Sequence, residues 1–142
     1  MADAPRVPFF CPAGAAFGVD LGACLQRVVD SGWYVLGPRV RDFEAAFARH
    51  VGARHAVGVA NGTDALTLAL RALGVQPGQP VVTVANAGCY ASTALAQLGA
   101  QPLYVDVEPA RLTMAPPALA AALAAHPVAA VIVTHLYGQM AD

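Results

Sequence analysis

Two nearly uninterrupted apolar runs constrain the fold of this chain more than any other sequence feature. They are VVTVA at residues 81–85 and VAAVIVT at residues 128–134. A strand that is apolar at almost every position is buried on both faces, which is typical of a parallel sheet with helices on either side. Because helical and strand patterns alternate through residues 55–142, the sequence predicts an α/β fold of alternating βαβ units around a mostly parallel sheet.

The predicted elements follow one another closely. Apolar residues recur every three or four positions in the predicted helices and almost continuously in the predicted strands. The expected helices cover residues 20–30, 39–50, 64–73, 90–98 and 116–125, and the expected strands cover residues 55–60, 81–85, 103–107 and 128–134. Residues 1–54 are therefore predicted to form an N-terminal arm with helices, and residues 55–142 an α/β domain that lacks its C-terminal remainder.

Composition excludes several classes of function. The chain is 57% hydrophobic and 12% charged, which argues for a packed core rather than disorder. A net charge of −1 gives no attraction to nucleic acid or to an anionic membrane. The N-terminus has no pattern of a signal peptide, and the most apolar run, 119–134, is broken by His126 and Pro127, so we expect a cytoplasmic protein. The three cysteines form no CxxC pair, so neither a disulfide framework nor a metal site is expected.

The turn between the first predicted strand and its following helix is the strongest candidate for a binding site. There Asn61 and Gly62 precede Thr63 and Asp64. A helix N-terminus has free N–H groups and the positive end of a dipole, so it can bind phosphate, with Gly62 allowing close approach and Thr63 adding a hydroxyl. An ordinary helix cap explains the same residues. The pattern matches neither the dinucleotide nor the NTP-binding glycine motif.

Two further strand ends carry polar or aromatic side chains, and ligands of open α/β sheets bind beyond the carboxyl ends of strands. Tyr90 follows the second strand and could lie flat against a planar ligand, or it could fill a gap in the core. His135 follows the last strand and could act in acid–base chemistry, or it could be structural. Cys89 is interpreted as a small apolar residue rather than a nucleophile.

Five blocks of sequence carry a resemblance to a known family. They are GWYVLGPRV at residues 32–40, HAVGVANGTDAL at 55–66, GVQPG at 74–78, PLYVDV at 102–107 and HLYGQ at 135–139. In the same order and at similar spacing, these blocks resemble motifs of the DegT/DnrJ/EryC1/StrS aminotransferases. Two departures are a longer segment between Thr83 and Tyr90, and Asn61 in place of a common serine.

The resemblance implies the N-terminal part of the large domain of a fold-type-I enzyme that uses pyridoxal 5′-phosphate (PLP). Such enzymes move an amino group from glutamate or glutamine to a keto sugar, usually nucleotide-linked, or to a keto-cyclitol. By position, the residues implied to bind the cofactor are Gly62, Thr63 and the backbone of Asp64 at the phosphate, and Tyr90 at the ring. The residues implied to lie near the substrate are Tyr34, His135 and Tyr137.

The resemblance also implies a homodimer whose active site is built from both chains. The N-terminal aromatic residues are candidates for that interface, although core packing explains them equally well. They are Phe9, Phe10, Phe17 and Trp33.

All eight basic residues are arginine, so the chain contains no lysine. PLP transamination needs a lysine amine that forms a Schiff base with the cofactor, and a carboxylate against the pyridinium nitrogen. The family places both beyond its HLYG block, so we expect an inactive N-terminal fragment of an aminotransferase, with an exposed apolar edge and poor solubility. Two alternatives stay open: a sugar dehydratase of the same family that uses PLP or pyridoxamine 5′-phosphate (PMP), with histidine in place of the lysine, and a non-catalytic interaction module.

Overall fold

The computed structural model describes residues 18–142, so the expected interface residues Phe9, Phe10 and Phe17 lie outside the described residues. The chain divides into two compact units with a boundary between Gly58 and Val59. The first contains two helices, and the second contains a parallel sheet with three helices.

Local capping determines where the two helices of the first unit begin and end. Helix α1 covers Leu21–Ser31, and Asp20 Oδ1 accepts a hydrogen bond from the Ala23 N–H at 3.0 Å. Helix α2 covers Pro38–Val51, with Pro in its first turn, where a missing N–H has no cost. Gly52 ends it with a φ of 70°, a left-handed conformation that glycine adopts without strain. Both helices lie within one residue of the predicted bounds.

The loop between α1 and α2 is compact although most of its side chains are apolar and exposed. Trp33 Nε1 donates to the carbonyl of Val35 at 2.8 Å. A Cβ at Gly37 would lie 3.1 Å from Trp33 O and 3.2 Å from the indole ring, so glycine lets the chain pass close to that ring. The Arg41 guanidinium lies 5.5 Å from the ring centroid, within the range of a cation–π contact.

The second unit is built on a three-stranded parallel sheet of order β2-β1-β3. Its elements are α3 (Gly62–Ala72), β1 (Pro80–Val84), α4 (Tyr90–Leu98), β2 (Gln101–Val105), α5 (Pro116–Ala125) and β3 (Ala130–Val131). Strand β1 lies in the middle, with Val82 opposite Leu103 of β2 and Val131 of β3. The predicted α/β fold with a parallel sheet is confirmed.

Both faces of the sheet are covered, as the apolar runs indicated. Val81 and Val82 are fully buried and, as neighbours in a strand, they point to opposite faces. On one face the buried side chains come from β1, α3, α4 and the loops that follow these two helices: Leu70, Val75, Val81, Leu95, Leu98 and Ala100. On the other face they include Val82, Val84, Met114 and Ala122. Each fully buried leucine or valine contributes about 1.5–3 kcal/mol, so these clusters hold the helices to the sheet.

Three predictions about single elements were wrong. Residues 55–60 form no strand, and Val57 is 79% exposed, because a strand needs a partner and the described residues place none beside it. The last strand pairs only at Ala130–Val131 rather than over 128–134, because its other edge has no neighbour in residues 18–142. The turn expected between residues 55–60 and the helix at 64–73 is instead the start of α3, which Asn61 caps.

Residues 18–142 meet neither the requirements for a membrane-spanning helix nor those for a metal-binding cluster of side chains. The longest helix in residues 18–142 is α2, with 14 residues. No helix in that range has the length and apolar character needed to cross a membrane. The same residues bring together no group of three or more histidine, cysteine, aspartate or glutamate side chains that could hold a metal ion.

Candidate cofactor and substrate site

Two adjoining clefts open where the loops after β1 and β3 meet the start of α3. The larger, of about 410 Å³, is lined by residues that follow the two strands, including Gly88, Tyr90, His135 and Tyr137. The smaller, of about 340 Å³, is lined by Asn61, Gly62, Thr63, Leu66 and Tyr90. Tyr90 and Leu66 line both, so the structure brings the predicted phosphate-binding turn and the predicted stacking ring to one place. Leu66 was not predicted as a site residue, although its position one turn beyond Thr63 is a usable signal.

The start of α3 presents free hydrogen-bond donors. Asn61 Oδ1 accepts from the Asp64 N–H at 2.9 Å, and Asn61 Nδ2 donates to Asp64 Oδ2 at 2.9 Å. The N–H groups of Gly62 and Thr63 have no hydrogen-bond partner among the described residues. The predicted cap and the predicted phosphate donors therefore coexist. The Asp64 N–H, which was expected to face a phosphate, is already bound to Asn61.

The space in front of these donors suits an anion. A Cβ built at Gly62 meets no atom within 4 Å, so the approach to the helix end is open. α3 has 11 residues, and the positive end of its dipole lies at this turn. Two free N–H groups, the Thr63 hydroxyl and an adjacent aromatic ring are a donor set that fits PLP, which carries a phosphate on a flat pyridine ring.

A sharp turn before α4 presents the Tyr90 ring. Cys89 has a φ of 60°, and its N–H donates to the Ala87 carbonyl at 2.8 Å. Tyr90 is the first residue of α4, and its side chain is 66% exposed. The ring folds back over Gly88, where a Cβ would come within 2.6 Å of Tyr90 Cε2. An aromatic face is therefore available to a planar ligand. Within residues 18–142, no histidine is hydrogen-bonded to the Cys89 thiol.

The segment after β3 holds His135 in one orientation. His135 Nδ1 accepts a hydrogen bond from the Ala141 N–H at 3.1 Å, so in the neutral ring the hydrogen is on Nε2. Arg111 anchors the same segment by binding the Met140 carbonyl at 3.2 Å and the Asp142 carboxylate. His135 therefore presents a hydrogen-bond donor at the larger cleft.

The two tyrosines expected near the substrate lie in different units. Tyr137 is 95% exposed in a short 3-10 turn, Leu136–Gly138, and has a φ of 54°. Tyr34 belongs to the first unit, is 66% exposed, and donates its hydroxyl to the Val29 carbonyl at 3.4 Å. A role for either residue in substrate binding stays a prediction.

The fold and these clefts define an α/β protein in which a helix start with two unpaired N–H groups lies beside an exposed aromatic ring. Its sequence matches the DegT/DnrJ/EryC1/StrS aminotransferase family over residues 19–142. It is 42% identical over 124 residues to the UDP-2-acetamido-2-deoxy-3-oxo-D-glucuronate aminotransferase of Pseudomonas aeruginosa. The aligned residues cover 87% of this chain and 34% of that protein.

Solved structures agree with the sequence match. A DegT/DnrJ/EryC1/StrS aminotransferase from Brucella abortus superposes with a TM-score of 0.88 at 32% identity, covering 96% of this chain and 39% of that one. A Bacillus subtilis protein with bound cofactor PMP superposes with a TM-score of 0.83 at 26% identity, covering 99% and 33%. The chain belongs to the DegT/DnrJ/EryC1/StrS aminotransferase family, as its motifs indicated. It spans about a third of the length of the curated relatives that it matches.

Proposed function

We propose that these residues are the N-terminal part of a PLP-dependent aminotransferase. Its substrate is a keto sugar, usually nucleotide-linked, or a keto-cyclitol, and its amino donor is glutamate or glutamine. The observation that carries this proposal is the pair of free N–H groups at Gly62 and Thr63, which lines one cleft with the exposed Tyr90 ring. PLP, when bound, supplies an electron sink for moving an amino group. The described residues bind and orient it.

Each part of the clefts has a separate task in this proposal. The start of α3 holds the phosphate through the Gly62 and Thr63 N–H groups and the Thr63 hydroxyl. Tyr90 covers one face of the ring and excludes water from it. His135 donates the hydrogen on Nε2 to an oxygen of the sugar, and the hydroxyl of Tyr137 binds another sugar oxygen. Tyr34, which lies in the first unit, stays a predicted substrate-binding residue. These 142 residues contain no lysine and therefore contribute no amine nucleophile.

The remaining expectations belong to the same proposal. The protein works as a homodimer in the cytoplasm, with residues 1–54 as an N-terminal arm with helices and residues 55–142 as part of the cofactor-binding domain. The exposed apolar side chains of the first unit are the surface that a second copy would bury. They include Leu25, Val29, Trp33, Val35 and Leu36.

A cofactor titration of the protein expressed from its natural gene tests this proposal. Thr63→Val removes one donor to a charged group, worth about 1.5–3 kcal/mol, so PLP should bind about 10- to 150-fold more weakly. Thr93→Val is the matched control, because Thr93 is exposed on α4 and lines neither cleft. Equal PLP affinity in the wild type and Thr63→Val would refute the assigned phosphate site. Analysis of products then separates amino transfer from dehydration, and a protein that binds no PLP would favour the interaction module.

A further inference from the structure

We propose that Thr67 and Gln97 are positioning residues that set the distance between the phosphate-binding end of α3 and the ring of Tyr90. The inference rests on the proposed function of this site. Thr67 lies one turn beyond Thr63 in α3, and Gln97 lies in the last turn of α4, which begins at Tyr90. Thr67 Oγ1 lies 3.0 Å from the Thr63 carbonyl oxygen and 2.9 Å from Gln97 Oε1.

The contact between Thr67 and Gln97 is the one side-chain hydrogen bond between α3 and α4 in residues 18–142. The other contacts that hold the two helices together are apolar and include Leu70, Leu95 and Leu98. Apolar contacts depend on buried area and not on direction, so they allow one helix to shift along the other. A hydrogen bond weakens steeply with distance and angle, so this bond selects one register of α3 against α4.

The hydroxyl of Thr67 can form hydrogen bonds with Thr63 and Gln97 at the same time, as donor in one bond and acceptor in the other. It has a single hydrogen, which can be donated to the Thr63 carbonyl or to the Gln97 amide but not to both. When the amide of Gln97 is turned about its last torsion, Nε2 donates to Thr67 Oγ1 and the hydroxyl donates to Thr63. A continuous chain of hydrogen bonds then runs from the end of α4 to a residue of the phosphate site.

Helix rigidity carries the effect of this link to the two ends of the site. Thr63 and Thr67 move together as part of α3, and Tyr90 and Gln97 move together as part of α4. A shift of Gln97 relative to Thr67 therefore shifts the ring of Tyr90 relative to the donors at Thr63. Binding sites lose function when such distances change by about 0.5–1 Å. The link thus favours ligands in which a phosphate and a flat ring are held at one separation.

Parallel titrations with two probes test the inference on the protein expressed from its natural gene. Inorganic phosphate contacts only the start of α3, whereas PLP contacts both α3 and Tyr90. In Thr67→Val we expect unchanged affinity for phosphate, about three- to tenfold weaker binding of PLP, and an altered circular dichroism band of the bound chromophore. Thr67→Ser keeps the hydroxyl and should restore all three values. Gln97→Leu, at an exposed position, should reproduce Thr67→Val, and the double variant should add nothing.

Several results would overturn the inference. Wild-type PLP affinity and dichroism in both Thr67→Val and Gln97→Leu would show that the link does not position the ring. Equal losses for phosphate and PLP would show a local effect on α3 instead. Absence of PLP binding by the wild type would refute the proposed function and this inference together, whereas normal binding by the wild type and both variants would refute this inference alone.

Discussion

The ring of Tyr90 packs directly over the α-carbon of Gly88, where a Cβ would come within 2.6 Å of Tyr90 Cε2. That separation is shorter than any normal carbon–carbon contact, so a side chain at residue 88 must displace the ring. Gly88→Ala should therefore turn the Tyr90 ring away from its present position and weaken PLP binding about two- to tenfold, the range expected for loss of an aromatic stacking contact. Fluorescence titration with PLP measures the change.

The double variant Gly88→Ala/Tyr90→Ala is the control for this steric explanation. Once the ring has been removed, alanine at residue 88 has nothing to displace, so the double variant should bind PLP as Tyr90→Ala does. If the effects of the two substitutions simply add, Gly88 acts in some other way than by seating the ring.

Removal of the cap of α3 should destabilise the second unit. Asn61→Ala deletes the oxygen that accepts from the Asp64 N–H, so urea unfolding should show a loss of about 0.5–2 kcal/mol. Asn61→Ser retains a capping oxygen and should stay close to the wild type. Equal stability of all three proteins would mean that the Asn61 side chain does not stabilise the start of α3.

The left-handed backbone at Cys89 predicts which substitution the position tolerates better. Asparagine tolerates a φ of 60° better than most residues other than glycine, because its short polar side chain can hydrogen-bond locally, and it is also a good residue at a helix N-cap. Cys89→Asn should be about 1 kcal/mol more stable than Cys89→Ala, measured as the difference in urea midpoints. An Ala variant as stable as the Asn variant would contradict this expectation.

A buried hydroxyl in the central strand predicts a stabilising substitution. Thr83 is fully buried, and its Oγ1 has no hydrogen-bond partner among the described residues. Because a buried unpaired polar group costs about 1–3 kcal/mol, Thr83→Val should keep the shape and raise the free energy of unfolding by about 1 kcal/mol or more. The opposite kind of change at the neighbouring buried position, Val82→Thr, should lower the free energy of unfolding. A loss of stability in Thr83→Val would indicate that a bound water or another group satisfies the hydroxyl.

Local signals were sufficient to predict most of the helices. Helices α4 and α5 have the predicted bounds, 90–98 and 116–125, because Gly99 ends the first and two prolines begin the second. Strand predictions depended on partners that a local pattern does not contain. Residues 55–60 have the composition of a strand but no pairing, and β3 is paired at only two residues.

The sequence indicated where the candidate site lies, but it did not predict the hydrogen bonds within the site. The turn at residues 61–64 could be read as a cap or as a phosphate site, and the structure shows how the Asn61 side chain takes one donor and leaves two others free. The bond between Thr67 and Gln97 joins residues 30 positions apart. Both are polar residues on helices, and nothing in the local sequence distinguishes them from solvated positions. The bond from Ala141 to His135 likewise depends on how the chain folds back after β3.

The cap formed by Asn61 also determines when the turn proposed to bind an anion becomes ordered. Since Asn61 fixes the first turn of α3 without a ligand, the N–H groups of Gly62 and Thr63 take up their directions during folding. The entropy of ordering that turn is lost before any anion arrives, so binding need not be coupled to local folding. Capture of the anion should therefore be fast and should produce little change in secondary structure.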